Sequence, residues 1–331
     1  MTILKNKNTG DNSLKMTQRI KHYRLKHGKS RSIRMAGWAK SITVLLIIFV
    51  LSFLICPVSY PAASKSTNAS VWEPLIEQLI RDGGDEKTIR GIFARPEVQF
   101  NPRVMPRKLS HKESKLDYSK FLRPERLSRA GLFLDTHKEL LIRIEDEYGI
   151  PKEIKVAILL VETDLGRYLG PDRAFNILAS MAAATDIDRI KPWLNPELLK
   201  PAERNQVEKK LRDKSRWAYK ELKALLVYAE QNKTDPLEIR GSIFGAIGLC
   251  QFMPSNALRF GIDHDHDGKI NLFLKPDALA SMANYLRNYG WKDDLSRKEQ
   301  EAVILKYNYS RPYAKAVLDV AERLSENSKN K

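Results

Sequence analysis

Apolar residues recur along most of the chain at spacings of three and four positions, the period of an amphipathic helix. In 71–84, positions 75, 76, 79 and 80 are apolar and a Gly pair follows, which is a typical helix stop. No segment alternates convincingly between apolar and polar residues, and no internal repeat is visible. The pattern therefore predicts a mostly α fold. Its predicted helices are 71–84, 132–149, the segment that follows Pro151 and contains Glu162, 201–232 (as one helix or two), 276–290 and 298–308.

Two segments lack this helical period. Residues 64–70 are small and polar and predict a short linker. Residues 94–130 are rich in Pro, Arg and Lys and predict an extended strap that lies over a core built elsewhere.

The longest apolar run, 42–56, lies between the length of a signal-peptide core and the ~20 residues of a membrane-spanning helix. Basic residues precede the run and few follow it, which orients the N-terminus toward the cytoplasm. We predict a signal peptide or signal anchor over 41–63 and an exported domain over 64–331. A cleaved signal peptide favours translation from Met35 or Met16, and a core helix of a cytosolic protein is the remaining alternative.

The charge of the chain is concentrated at its N-terminus. The formal net charge is +17 over 331 residues, and residues 1–40 contain eleven Lys or Arg but only one acidic residue, Asp11. The other 291 residues therefore have a mild excess of +7. Because a duplex-binding protein concentrates basic residues on its folded domain, no nucleic-acid partner is expected.

The two cysteines exclude a disulfide framework. Cys56 lies in the apolar run, so a cleaved chain retains only Cys250. A lipoprotein signal needs a small residue before its Cys, and Ile55 argues against lipidation.

The segment KVAILLVETDLGRYLG, 155–170, places Glu162 at the end of a helix that is apolar on nearly every face. One interpretation is a rim residue paired with Arg167 or Lys155. The other is a general acid that stays protonated near neutral pH because its surroundings exclude water. Asp164, two positions on, points about 200° around the helix and away from such a cleft.

A glycine-rich segment, RGSIFGAIGLCQFMPSNALRFG, spans 240–261. Its small residues allow close backbone approach, and Gln251 can both donate to and accept from an N-acetyl amide. Phe252 offers a stacking face. A loop that is tight for structural reasons alone fits the same residues. Further on, Tyr307 and Asn308 in LKYNYSRPYA either line a sugar cleft or pack a corner between helices.

The segment DHDHDGKINLFLKPD, 263–277, matches the first two-thirds of a calcium loop, with alternating Asp residues and Gly268 at the sixth position. The twelfth position, usually Glu, is Leu274, so the closing ligand must come from elsewhere. The two intervening His residues also allow a transition-metal site, although their alternation with Asp fits solvated loop residues better. The candidate calcium ligands are Asp263, Asp265, Asp267, the carbonyl of Lys269 and Asp277.

In this order, these features resemble the soluble and membrane-bound lytic murein transglycosylase B family. The family signature is Glu followed by Ser or Thr, then G-S-x-x-G-A-x-G-x-x-Q-F-M-P-S, a calcium loop and Y-N. The resemblance extends from about Trp72 to Leu324. The matching segments are Glu162-Thr163, Gly241 through Ser255, Asp263 through Asp277, and Tyr307-Asn308.

The resemblance implies a lysozyme-like transglycosylase fold with a small inserted calcium-loop subdomain. It also implies cleavage of the β-1,4 bond between N-acetylmuramic acid and N-acetylglucosamine without water. Glu162 is then the acid and afterwards the base, as the C6 hydroxyl attacks C1 and closes a 1,6-anhydro ring. The implied substrate-binding residues are Ser242, Gln251, Phe252, Tyr285, Tyr307 and Asn308.

Further expectations follow from this family. The implied partner is the peptidoglycan glycan strand, with the membrane as a second partner if the N-terminal segment is retained. Calcium is expected as a structural ion, an organic cofactor is not, and a periplasmic monomer is predicted. The alternative is a non-catalytic peptidoglycan-binding or scaffold protein of the same fold.

Overall fold

The computed structural model describes residues 66–111 and 116–329, which belong to one compact unit, Ser64–Lys331. The predicted tail of 1–40 and the apolar segment of 41–63 lie outside the described residues. The first helices are α1 (Ser66–Arg81), α2 (Glu86–Phe93), α3 (Val104–Ser110), α4 (Pro124–Thr136), α5 (Lys138–Tyr148), α6 (Lys152–Thr163) and α7 (Ala174–Ala183). They are followed by α8 (Pro201–Gln231), α9 (Pro254–Phe260), α10 (Lys275–Asn288), α11 (Arg297–Tyr307) and α12 (Arg311–Lys329).

Helix α6 lies in the middle of the core. Its residues from Val156 to Leu160 are fully buried, which matches their nearly continuous apolar sequence. It packs against α12, α4, α5 and α10. Because neighbours cover it on several sides, a side chain at its end is held by a rigid support.

Helix α8 organises the other half of the unit. It is continuous over 31 residues, or about 46 Å at 1.5 Å per residue. It begins with Pro201 in its first turn, where the missing N–H costs no helical hydrogen bond. Its buried stripe packs against α7 and α9.

A short antiparallel pair of strands joins the segment after α6 to the glycine-rich loop, which is the part of the glycine-rich segment that precedes α9 (240–253). Strand β1 (Asp172–Arg173) pairs with β2 (Arg240–Gly241), with Asp172 opposite Gly241. Gly170 has φ +91°, and a Cβ placed there would lie 2.0 Å from the Gly241 carbonyl oxygen. Only glycine therefore fits at this crossing.

The mostly α prediction is confirmed, with differences in detail. The single helix predicted over 132–149 is wrong, since His137 leaves helical geometry between α4 and α5. The linker predicted over 64–70 is wrong from Ser66, where α1 begins. The extended strap is also wrong in part, because 94–130 contains α3, a 3-10 turn and the start of α4. No helix among the described residues is both long and apolar enough to cross a membrane.

Candidate active site

Glu162 lies in the last turn of α6 and is half-buried. The Tyr313 hydroxyl, from α12, donates a hydrogen bond of 2.6 Å to Glu162 Oε1. Tyr313 is only 1% exposed. Burial, together with the negative charge of Glu162, raises the pKa of Tyr313 well above its usual 10. The phenol therefore remains a protonated donor at any ordinary pH.

Two further groups lie within electrostatic reach of Glu162. Burial raises the pKa of the Cys250 thiol to about 12, with a contribution from Glu162. Burial also raises the pKa of Tyr307, and the charges of Cys250 and Glu162 add to the effect. The Tyr307 hydroxyl donates to the Cys250 carbonyl at 2.5 Å. The carboxyl thus lies beside the end of the glycine-rich loop and the end of α11.

Thr163 ties the end of α6 to the glycine-rich loop. Its hydroxyl lies 3.0 Å from the Leu249 carbonyl, to which it donates, and it accepts from the Gly166 N–H at 3.1 Å. A Cβ at Gly166 would lie 2.5 Å from a Leu249 methyl group, so the two segments are in tight contact. The motif of Glu162 and the glycine-rich motif therefore meet in space.

Asp164 ends α6 in the left-handed conformation, with φ +50°. Its carboxylate faces α4, where Arg129 lies 2.8 Å and Arg126 3.5 Å from Oδ1. This arrangement fits the prediction that Asp164 does not share the cleft with Glu162.

The loop residues predicted to bind sugar have internal hydrogen bonds. Ser242 Oγ accepts from the backbone N–H groups of Phe244, at 3.3 Å, and Ala246, at 3.1 Å. Gln251 has φ +49°, and its amide nitrogen donates to the Gly248 carbonyl at 2.9 Å. Both side chains are half-buried, so their first effect is to fix the shape of the loop.

Two aromatic residues of the predicted site lie in the core instead. Phe252 is 2% exposed and packs between Tyr285 and Tyr307, with ring centroids 5.4 and 5.8 Å away. Tyr285 is 4% exposed, and its hydroxyl donates to the Lys306 carbonyl at 2.5 Å. Neither ring offers an open face, so the stacking role predicted for Phe252 and the direct sugar contact predicted for Tyr285 do not fit this structure. Tyr307 and Asn308 are half-buried at the end of α11.

Two tyrosines of the site were missed by the sequence reasoning. Tyr313 contacts Glu162 directly, and the ring of Tyr118 meets the Tyr313 ring edge-on, with centroids 5.8 Å apart. Tyr313 belongs to the polar and aromatic segment 305–314, and the composition of that segment was the sequence feature that could have indicated Tyr313 as a site residue. Tyr118 lies in the segment predicted as a strap, where no pattern distinguishes it.

The loop of 263–277 brings three predicted calcium ligands together. Carboxylate oxygens of Asp263, Asp265 and Asp267 all lie within 4.8 Å of one another. Asp277 is not one of this cluster. Its fully buried carboxylate accepts from the His264 N–H at 2.9 Å and from a second loop N–H, and burial raises its pKa. Asp277 therefore holds the loop together, whereas its predicted role as closing ligand and that of the Lys269 carbonyl stay predictions.

Comparison with known proteins places these features in context. A model of the family described as the transglycosylase SLT domain matches residues 67–301. The membrane-bound lytic murein transglycosylase B of Escherichia coli (strain K12) is 31% identical over 172 residues, which are 52% of this chain and 40% of that protein. The match thus spans less than half the length of this curated relative.

Solved structures show the same fold. The soluble lytic transglycosylase SltB1 from Pseudomonas aeruginosa has a TM-score of 0.62 and 25% identity, over 78% of this chain and 99% of that chain. The lytic transglycosylase Slt35 of Escherichia coli in complex with calcium has a TM-score of 0.60 and 21% identity, over 78% and 93% of the two chains. The expected transglycosylase fold is confirmed, and the calcium-loop subdomain stays a prediction.

Proposed function

The chain belongs to the transglycosylase SLT domain family, and on this premise we propose that it is a peptidoglycan lytic transglycosylase. It cleaves the β-1,4 bond between N-acetylmuramic acid and N-acetylglucosamine and leaves a 1,6-anhydromuramic end. The observation that supports this proposal most directly is the half-buried carboxyl of Glu162 at the end of a buried helix, with a tyrosine donor on one of its oxygens.

The reaction needs one group that is first an acid and then a base. Because Tyr313 donates to Oε1, the proton of the acid form resides on Oε2. Glu162 gives this proton to the glycosidic oxygen as the C1–O bond breaks. The muramic C6 hydroxyl then attacks C1 and returns its proton to Glu162, so no water is consumed and the carboxyl is restored.

A second carboxylate is not needed for this route, in contrast to hydrolysing glycosidases, which use a pair. Asp164 is the carboxylate nearest to Glu162 in sequence, and Arg129 and Arg126 engage it on the side of α4. These two arginines therefore balance the negative charge of Asp164, and the proposed reaction does not use its carboxylate.

The glycan strand is proposed to lie across the glycine-rich loop and the end of α11. Internal hydrogen bonds of the loop fix the positions of the Gln251 and Ser242 side chains. Tyr307 lies within electrostatic reach of the Glu162 carboxyl, and Asn308 follows it in the chain at the end of α11. The excess of +7 outside the N-terminal tail favours attraction of a negatively charged polymer at long range.

Calcium is proposed as a structural ion of the loop. Three carboxylates within 4.8 Å of one another form a hard oxygen donor set, which suits Ca²⁺. A bound ion would neutralise the repulsion among them. A related fold, Slt35, was solved in complex with calcium. The ligands from the cluster are Asp263, Asp265 and Asp267.

We also infer the location and organisation of the protein. Segment 41–63 acts as a signal peptide or anchor, and 64–331 acts as a monomeric catalytic domain on the periplasmic side. The curated relative described as membrane-bound supports this inference.

The test compares three proteins on purified sacculi, with mass spectrometry of the released fragments. The wild type should release 1,6-anhydro products, and Glu162→Gln should lose at least about a thousandfold in rate because it cannot donate the proton. Glu153→Gln is the matched control, since Glu153 lies on the same helix and pairs with Lys152 at 3.2 Å. Release of reducing ends only would establish a hydrolase, and an active Glu162→Gln variant would contradict the assignment. An inactive wild type that binds sacculi would favour the scaffold alternative.

A further inference from the structure

The backbone directly after Glu162 adopts a conformation that is uncommon outside glycine. Asp164 has φ +50° and Leu165 has φ +64°, so two successive residues with side chains lie in the left-handed region. The Leu165 N–H reaches back to the Leu159 carbonyl at 3.1 Å and closes the last turn of α6. Such a conformation persists only where surrounding contacts impose it.

An ion pair with α4 holds the Asp164 side chain in this turn, and Arg126 and Arg167 lie farther from the same carboxylate, at 3.5 and 3.9 Å. Arg129 Nη2 lies 2.8 Å from Oδ1 and 3.1 Å from Oδ2 of Asp164, so one donor group spans both carboxylate oxygens. The Asp164 side chain is 23% exposed, which limits screening by water. Arg129 Nε is buried and has no hydrogen-bond partner among the described residues. The guanidinium thus gives up one hydrogen bond while it holds Asp164.

Glu162 lies two residues before Asp164 in this same last turn. One residue of α-helix corresponds to a rotation of about 100°, so unwinding that begins at Asp164 and extends back through Glu162 would swing the Glu162 carboxyl away from Tyr313. The Thr163 hydroxyl holds the turn to the glycine-rich loop on one side. The Asp164–Arg129 pair holds it on the opposite side, toward α4.

We propose that the Asp164–Arg129 pair is a positioning device that sets the direction of the Glu162 carboxyl. The inference rests on the proposed function of Glu162. Neither Asp164 nor Arg129 takes part in proton transfer. Both act by fixing the end of the helix.

Three substitutions distinguish the effect of the Asp164–Arg129 ion pair from the effect of the left-handed backbone at Asp164. Asp164→Asn keeps the side-chain shape and tolerates the left-handed region, but it removes the negative charge. Asp164→Gly removes the pair and allows the conformation without strain. Arg129→Gln breaks the pair from the other side. The control is Asp235→Asn, because Asp235 is 29% exposed and pairs with Arg95 at 2.6 Å, a comparable ion pair elsewhere.

We expect Asp164→Asn and Arg129→Gln to lower kcat about 10- to 100-fold, with KM changed by no more than about threefold, since misplacement of a reacting group affects the chemical step. The double variant should be no slower than the slower single variant. Asp164→Gly should lose kcat while it retains the wild-type melting temperature within the change seen for the control.

The proposal is overturned if both single variants lose no more kcat than Asp235→Asn. It is also overturned if the loss appears in KM and in binding of sacculi rather than in kcat, or if the double variant loses the product of the two single effects. A wild type that releases only reducing ends would refute the proposed transglycosylase reaction, while the same kcat comparison would still decide the role of the pair.

Discussion

Lys155 is a fully buried lysine on α6, the helix that ends with Glu162. Its ammonium group donates to the Ile150 carbonyl at 2.5 Å. Burial lowers its pKa from 10.5 to about 8, although the charges of Glu145 and Glu153 oppose the shift. We predict that Lys155→Met stabilises the protein at pH 7 and that this advantage disappears at high pH.

The size of the effect follows from linkage. The pKa of Lys155 is about 8 in the folded protein and 10.5 in the unfolded chain, a difference of about 2.5. Each pKa unit corresponds to 1.36 kcal/mol, so burying the charged form of Lys155 costs about 3 kcal/mol. Methionine avoids this cost and has a similar volume, but it loses one hydrogen bond worth about 1 kcal/mol. The variant should therefore be more stable by about 2 kcal/mol at any pH below 8.

The difference in stability between the Lys155→Met variant and the wild type changes sign as Lys155 loses its proton. Between pH 8 and 10.5 the unfolded chain binds more protons at Lys155 than the folded chain does, so wild-type stability rises by about 3 kcal/mol relative to the variant. Above pH 10.5 the variant should be less stable, by about 1 kcal/mol.

The measurement is urea unfolding of both proteins at several pH values from 7 to 10.5, at constant ionic strength. Other groups titrate in both proteins, so the difference in the free energy of unfolding isolates Lys155. A difference that stays constant with pH, or a variant that is less stable at pH 7, would refute the reasoning.

Three other outcomes follow from the structure. Tyr313→Phe removes the donor to Glu162, which disfavours the carboxylate, so the alkaline limb of kcat/KM should move to higher pH, by about one pH unit; an unchanged limb would contradict the hydrogen-bond role. Gly170→Ala should destabilise by several kcal/mol in urea unfolding, since its Cβ would meet a β2 carbonyl at 2.0 Å, whereas Gly91→Ala, with nothing within 4 Å, should be neutral or stabilising. Added Ca²⁺ should raise the melting temperature, and at a Ca²⁺ concentration of a hundred times Kd the stabilisation should be about 2.7 kcal/mol. Neutralising the aspartates of 263–267 should abolish this rise, and a wild type whose melting temperature does not respond to Ca²⁺ would exclude the site.

Much of the fold was predictable because its signals are local. The helical period located most helices, and the apolar run before Glu162 correctly predicted a buried helix. The break at His137 could not be predicted, because α4 and α5 keep their apolar residues in phase across it. The start of α1 could not be predicted either, because residues 66–70 are small and polar and the apolar stripe of this helix begins only after them.

The site was predictable only where its residues are close in sequence. Three aspartates in five positions form the cluster that their spacing indicated. Asp277 was expected to close this cluster, which stays a prediction; the hydrogen bonds that its buried carboxylate accepts from two backbone N–H groups of the loop could not be predicted from spacing. An aromatic ring such as that of Phe252 suits a sugar cleft and a core equally well, so only the tertiary packing could decide its burial.

The hydrogen bond between Tyr313 and Glu162 joins residues that are 151 positions apart. A nascent chain therefore contains the carboxyl long before it contains the phenol that orients it. Synthesis must proceed past Tyr313 in α12 before this contact can assemble. The reaction proposed for Glu162 therefore depends on a segment of the chain that the ribosome adds long after the carboxyl itself.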